Sequence, residues 1–136
     1  MKRTATAVWN GSGKEGKGNL STQSTTLSNV QYSYKSRFEE GTGTNPEELI
    51  AAAHAGCYAM KLSFVLGAAG ATPESIEATS AVELDNGVIT SSHLTVKVKA
   101  AGISADKFQE AAADAKENCP VSKALGINIT LDAALL

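Results

Sequence analysis

The sequence predicts an α+β domain in which antiparallel-rich sheets wrap around one long central helix. Three features of the 136 residues predict it. A single apolar run, NPEELIAAAHAGCYAMKLSFVLGAAG over residues 45–70, is long enough for a helix of six or seven turns. Thr-, Val- and Tyr-rich segments precede it, and a pair of alternating segments joined by Asp85-Asn86-Gly87 follows it. A second, shorter helical pattern then ends at Cys119-Pro120.

In order, Thr4–Trp9 reads as a first strand, and Gly11–Gly18 as a glycine-rich turn that lacks the order of a phosphate loop. Asn19–Thr26 and Leu27–Lys35 read as two further strands of an N-terminal meander. The long helix starts at Asn45 as cap, with Pro46 suited to the first helical position and Glu47 and Glu48 complementing the positive end of the dipole. Ser75–Leu84 and Val88–Ala100 form a hairpin. In its second strand Leu94, Val96 and Val98 alternate with Thr95, Lys97 and Lys99, so one face is buried and the other wet. Ser104 caps a helix running to about Asn118, the segment after Pro120 forms a short third helix, and Ile127–Leu131 forms a last strand. The order is βββ-α-ββ-α-α-β within a single domain over residues 1–136.

The apolar side chains of the long helix fall on almost every face, which calls for burial all round. A chain this small has too little mass to surround it, so a second copy is expected to help: a homodimer. His54 and Lys61 lie mid-span, which favours a buried soluble helix over a membrane span. The apolar run at the N-terminus, MKRTATAVWN, is too short for a signal peptide, and the expected location is cytoplasmic. A net charge of −2 leaves no electrostatic footprint for nucleic acid, and no basic amphipathic segment points to a membrane surface.

Chemistry centres on the two cysteines. Cys57 stands mid-helix among apolar residues, which raises a thiol pKa and suits a small core filler; to be reactive it needs a cation brought to it. Cys119 precedes Pro120 at a helix start, where unpaired N–H groups lower a thiol pKa. Arg3 and Arg37 are the two arginines among twelve basic residues. A solvated ion pair is one role open to Arg37, and complementing the helix dipole is one open to Glu47. His54 and Cys57, three apart on one helix, could join His93 and Cys119 in a zinc tetrad, although the paired close spacings of structural zinc sites are missing. A non-enzymatic dimer holding a small ligand at its apolar interface is the alternative to an enzyme.

The segments RFEEGTGTNPEELIAAAHAGCYAM, NCPVSKAL and INITLDAAL resemble the OsmC/Ohr family, and specifically its OsmC branch. The Ohr branch takes its active-site arginine from an early loop; here that loop reads KEGKG, while Arg37 before Phe38-Glu39-Glu40 fits the OsmC pattern. The resemblance implies an intertwined homodimer and a thiol-dependent peroxidase for organic hydroperoxides that uses no cofactor or metal. It implies Cys57 as the peroxidatic thiol, Cys119 as the resolving thiol, Arg37 as activator and Glu47 as the residue orienting it, with a thiol or dithiol reductant closing the cycle. Glu47 and Cys57 are ten residues apart, about 15 Å along a straight helix, so a site using both draws Glu47 from the second copy.

How the arginine would help follows from magnitudes. Lowering a thiol pKa from about 8.5 to about 6 raises the thiolate fraction roughly 30-fold at neutral pH. With a Brønsted slope near 0.45 the thiolate loses about 13-fold in nucleophilicity, leaving a net gain of only about two- to threefold. The larger contribution expected of Arg37 is a guanidinium hydrogen-bonded to the peroxide as the O–O bond breaks. Tyr58, Met60 and Phe64 beside Cys57 would favour alkyl and aryl hydroperoxides over hydrogen peroxide.

Overall fold

The computed structural model describes residues 1–136. Its elements follow the order β1 (Ala5–Asn10), β2 (Lys17–Thr22), β3 (Val30–Tyr32), α1 (Tyr34–Phe38), α2 (Pro46–Ala68), β4 (Pro73–Asp85), β5 (Val88–Ala100), α3 (Ala105–Asn118), α4 (Pro120–Leu125) and β6 (Asn128–Leu135). Two compact units emerge, Met1–Leu49 and Ile50–Leu136.

In the first unit β1, β2 and β3 form an antiparallel meander. Its third strand is shorter than the sequence suggested. Positive φ at Thr25 and Asn29 turns the chain between β2 and β3, and β3 ends after three residues. Lys35, expected to end a strand, instead lies in α1, because Ser33 and Ser36 form a reciprocal capping box that starts a helix. Serine pairs of this kind read equally well as strand edge or helix cap, and local hydrogen bonding selects the cap.

In the second unit β4, β5 and β6 form a three-stranded sheet. Asn86 and Gly87 both adopt positive φ, as the tight β4–β5 hairpin requires. β6 runs parallel to β5 and is reached through α3 and α4, the crossover that a parallel neighbour demands. It extends to Leu135, beyond the expected end at Leu131, because the parallel ladder with β5 continues to Val98.

Two stripes build the core of this unit. On α2 they are His54, Tyr58, Leu62 and Leu66, spaced i, i+4, i+8, i+12; on β5 they are Ser92, Leu94, Val96 and Val98, at period two. Phe108, Ala111 and Ala115 of α3 join the apolar members in one cluster. Ser104 caps α3 by accepting a hydrogen bond from the Lys107 N–H, and the Tyr58 hydroxyl donates to the Ala112 carbonyl. The rest of α2 departs from the expected all-round burial. Met60 is 66% and Phe64 71% exposed, so one chain covers a single stripe of this helix and leaves large apolar side chains bare. By length and composition α2 also satisfies the requirement for crossing a membrane.

Candidate functional site

The residues singled out by sequence assemble as two pairs, one in each unit. In the first, the segment 39–45 folds the start of α2 beside α1. The Ser36 hydroxyl donates to the Thr44 carbonyl at 2.8 Å, and Asn45 Nδ2 donates to the Ser36 carbonyl at 3.0 Å. Gly43, at φ 106°, passes so close to the Gln31 carbonyl that a Cβ would collide with it. Asn45 caps α2 as expected, its Oδ1 accepting from the Glu48 N–H at 2.8 Å.

This frame presents Arg37 to Glu47. Arg37 Nε lies 3.0 Å and an Nη 2.9 Å from Glu47 Oε1. Both donors of one guanidinium edge converge on one carboxylate oxygen and fix the plane of the group. Glu47 is buried, and its other oxygen, Oε2, has no partner within the chain. Trp9, Tyr32, Tyr34 and Phe38 line a recess of 230 Å³ together with Arg37. A larger hollow of 660 Å³, lined by Arg3, Thr4, Thr22 and Gln23 among others, contains none of the expected site residues.

In the second unit the sulfurs of Cys57 and Cys119 lie 2.8 Å apart although 62 positions separate them in sequence. Both are free thiols, Cys57 half-buried and Cys119 fully buried. The gap exceeds a disulfide bond by about 0.8 Å. Cys119 is the hinge between two helices: its N–H closes the last turn of α3 by bonding to the Ala115 carbonyl, and its carbonyl accepts from the Lys123 N–H of α4.

No tight cap bond reaches the Cys119 sulfur, but the N–H groups of Ser122 and Val121 and the Ser122 hydroxyl face it. Burial pushes this thiol up. The contact with Cys57 and the donors from Ser122 and Val121 outweigh that, and the net direction is down. Cys57 goes the other way. Burial raises it most and the contact with Cys119 adds to the rise, against which the Val121 N–H and, weakest, the charge of Lys61 pull down.

His54 and His93 do not join the cysteines as ligands. His54 is fully buried with Nδ1 2.7 Å from Ser92 Oγ and Nε2 2.8 Å from Ser122 Oγ, so both ring nitrogens are taken. Burial lowers its pKa and so favours the neutral ring. His93 lies on the outer face of β5, bonded to Thr130 and 3.1 Å from an Asp132 carboxylate oxygen. These separate partners overturn the zinc tetrad of His54, Cys57, His93 and Cys119. Three contributors escaped the reading of the sequence: Ser122, Val121 and Ser92. Ser122 stands three residues after a helix-capping cysteine, and Ser92 falls in phase with Leu94, Val96 and Val98, spacings that could have found these two; no spacing pointed to Val121.

A family model described as OsmC-like protein matches residues 39–133. The chain belongs to the OsmC-like family. It is 47% identical over 133 residues to "Peroxiredoxin OsmC" of Escherichia coli K12, covering 95% of this chain and 93% of that protein. The same identity and coverage hold for "Peroxiredoxin OsmC" of Shigella flexneri. Among solved structures, the organic hydroperoxide resistance protein OhrB of Bacillus subtilis superposes with a TM-score of 0.65 at 26% identity, covering 98% of each chain. An OsmC-like protein of Vibrio cholerae superposes with a TM-score of 0.73 at 15% identity, covering 98% of this chain and 99% of that one, a likeness of fold.

Proposed function

We propose that this protein is a thiol-dependent peroxidase that reduces organic hydroperoxides to alcohols, working as a cytoplasmic homodimer with residues 1–136 acting as one domain. The observation that carries the reading is the 2.8 Å approach of Cys57 and Cys119, two free thiols brought together by the core of one unit. The relatives named peroxiredoxin and organic hydroperoxide resistance protein support the reaction class.

In the first step the Cys57 thiolate attacks the distal oxygen of ROOH. The O–O bond breaks, ROH leaves with a proton, and Cys57 becomes a sulfenic acid. Cys119 then attacks that sulfur; the S–S bond forms and the hydroxyl departs as water. An external thiol or dithiol supplies two electrons and two protons to restore both cysteines.

Within one chain Cys57 is held up by burial and by its neighbour, against which the Val121 N–H and, as the one cation, a weakly acting Lys61 pull down. A peroxidatic thiol there calls for a stronger cation. We assign that role to Arg37, held in plane by Glu47, from a second copy. The bare apolar side chains of α2, Met60 and Phe64, support a second copy seated on this helix, and the partnerless Glu47 Oε2 awaits a donor that such a copy could supply. The aromatic recess around Arg37 would then form an apolar wall for the alkyl or aryl group of the substrate.

The test is mass spectrometry after one equivalent of cumene hydroperoxide. A loss of two hydrogens mapped to a Cys57–Cys119 link is expected, with cumyl alcohol formed in equal amount. Peroxide consumption that survives alkylation of Cys57 would overturn the assignment and leave a ligand-binding dimer as the better account.

A further inference from the structure

The proposed cycle employs both sulfurs and the Arg37–Glu47 pair but leaves a buried imidazole without a task. His54 bridges Ser92 Oγ at 2.7 Å and Ser122 Oγ at 2.8 Å. Ser92 Oγ lies 2.8 Å from Ser80 Oγ, and Ser80 stands half-buried on β4, the edge strand of its sheet. At the other end Ser122 lies three residues after Cys119 on the first turn of α4, its hydroxyl near a sulfur that has no exposed surface of its own and whose tight contact is with Cys57.

A neutral imidazole has one donor and one acceptor nitrogen, and each hydroxyl has one proton to give. Those counts allow two arrangements that run in one direction along the chain, each with the Ser122 hydroxyl closing on the Cys119 sulfur. In the first, Ser80 donates to Ser92, Ser92 to Nδ1, Nε2–H to Ser122, and Ser122 to a Cys119 thiolate. In the second, every bond is reversed: a Cys119 thiol donates to Ser122, Ser122 to Nε2, Nδ1–H to Ser92, and Ser92 to Ser80. Shifting each proton by one bond converts one arrangement into the other. The net result is one proton moved between a buried sulfur and the solvent, which restores the half-exposed Ser80 hydroxyl by giving or taking a proton there.

We propose that His54 is a positioning and proton-relay residue for Cys119, acting through Ser122 on one side and through Ser92 and Ser80 on the other. The relay deepens the peroxidase reading and rests on it. When Cys119 attacks the sulfenic acid of Cys57, the S–S bond forms, the S–O bond breaks, and the departing hydroxide takes up a proton equivalent to the one Cys119 gave up. When a dithiol reduces the disulfide, Cys119 leaves as a thiolate, the dithiol is oxidised by two electrons, and the proton returns along the same chain. Without the relay, the proton of this fully buried thiol can leave only past Cys57, the half-buried sulfur 2.8 Å away.

A small aromatic disulfide tests this without any hydroperoxide. Cys57 thiolate attacks it, releasing one coloured arylthiolate and forming a mixed disulfide; Cys119 then displaces the second arylthiolate and closes the Cys57–Cys119 bond. The two release phases read the two cysteines separately. In His54→Gln and in Ser92→Ala, the second phase is expected to slow by roughly tenfold or more while the first changes by less than about threefold. A lost thiolate fraction is largely offset because a more basic thiolate is a better nucleophile, so even a pKa difference as large as about 8.5 against about 6 would slow the second phase only about two- to threefold. The wild-type second phase should also show a normal solvent deuterium effect that both variants lose.

Equal slowing of both phases would reduce His54 to a packing residue and overturn the relay, as would a second phase slowed only within the range that ionisation explains. Agreement between the two variants guards against misfolding of either one. If wild-type protein fails to consume hydroperoxide yet closes its disulfide in two phases, the peroxidase reading falls on its own and the relay is still judged by the variants.

Discussion

Cys57 and Cys119 share one contact but occupy opposite kinds of backbone. Cys57 lies in the middle of α2, where the surrounding N–H groups are committed to the helix, and the donor that reaches it comes from Val121 of another element. Cys119 sits where α3 stops and α4 begins, so the unpaired N–H groups of a helix start point its way. Cys119 is the more deeply buried of the two, yet it is the one whose pKa moves down. Burial alone therefore does not rank two thiols; the count of donors facing each sulfur does. The comparison also assigns each its need. Cys119 carries its own stabilisation within the chain, whereas in the proposed mechanism Cys57 receives a cation.

Breaking either end of the contact should give the largest effects, and unequal ones. Cys57→Ser is expected to lower peroxide turnover by roughly a thousandfold or more. Cys119→Ser should keep one round of oxidation and then stall, with Cys57 trapped as sulfenic acid and advancing to sulfinic acid under excess peroxide. Intact-mass spectra of the two variants after peroxide treatment distinguish these fates.

The cation that Cys57 lacks offers the next lever. Arg37→Lys keeps the charge and loses the planar fork that meets both donors to Glu47, so a fall in kcat/KM of roughly 10- to 100-fold is expected. Near wild-type turnover in this variant would remove the guanidinium from the mechanism. A smaller difference should separate substrates: stopped-flow rates for cumene hydroperoxide should exceed those for hydrogen peroxide by about tenfold, the value of about 1.4 kcal/mol of added apolar contact. The reverse order would deny the aromatic recess and the α2 side chains any part in binding.

The gentlest probe lies on the Cys119 side. His54 has a folded pKa below its ordinary 6.5, so the unfolded chain binds more protons than the folded one as pH drops below that value. Its contribution to stability is full above about pH 6.5 and declines below it, by at most about 1.4 kcal/mol per pH unit. Denaturant melts of wild type at pH 7.5, 6.5 and 5.5 should show this decline, and His54→Gln should flatten it. An identical slope in the variant would place the acid sensitivity elsewhere.

Much of the site could be read before any coordinates, for reasons that differ by residue. Asn45, Pro46, Asn86-Gly87 and Ser104 announce themselves because caps and tight turns are set by neighbours in sequence, and all of them fall where expected. The α1 helix was hidden because a Ser33–Ser36 capping box leaves no apolar period in a segment of five residues. Ser122 and His54 were visible as residues but not as partners: hydrogen bonds across 68 and 38 positions depend on how α2, β5 and α4 pack. The misplaced zinc tetrad has the same origin, since spacing along a helix reveals proximity and not which hydroxyl has already claimed a ring nitrogen.

By itself the chain of residues determined the helix and hairpin signals, the family likeness, and the two sulfurs worth watching, because each is written in local spacing or in short motifs. Tertiary structure decided that those sulfurs lie 2.8 Å apart, that Arg37 meets Glu47, and that a buried imidazole is bridged by two serines. The physical reason is range. Caps and turns are settled over three or four residues, whereas the acidity of a thiol depends on donors that only a folded core can bring to it.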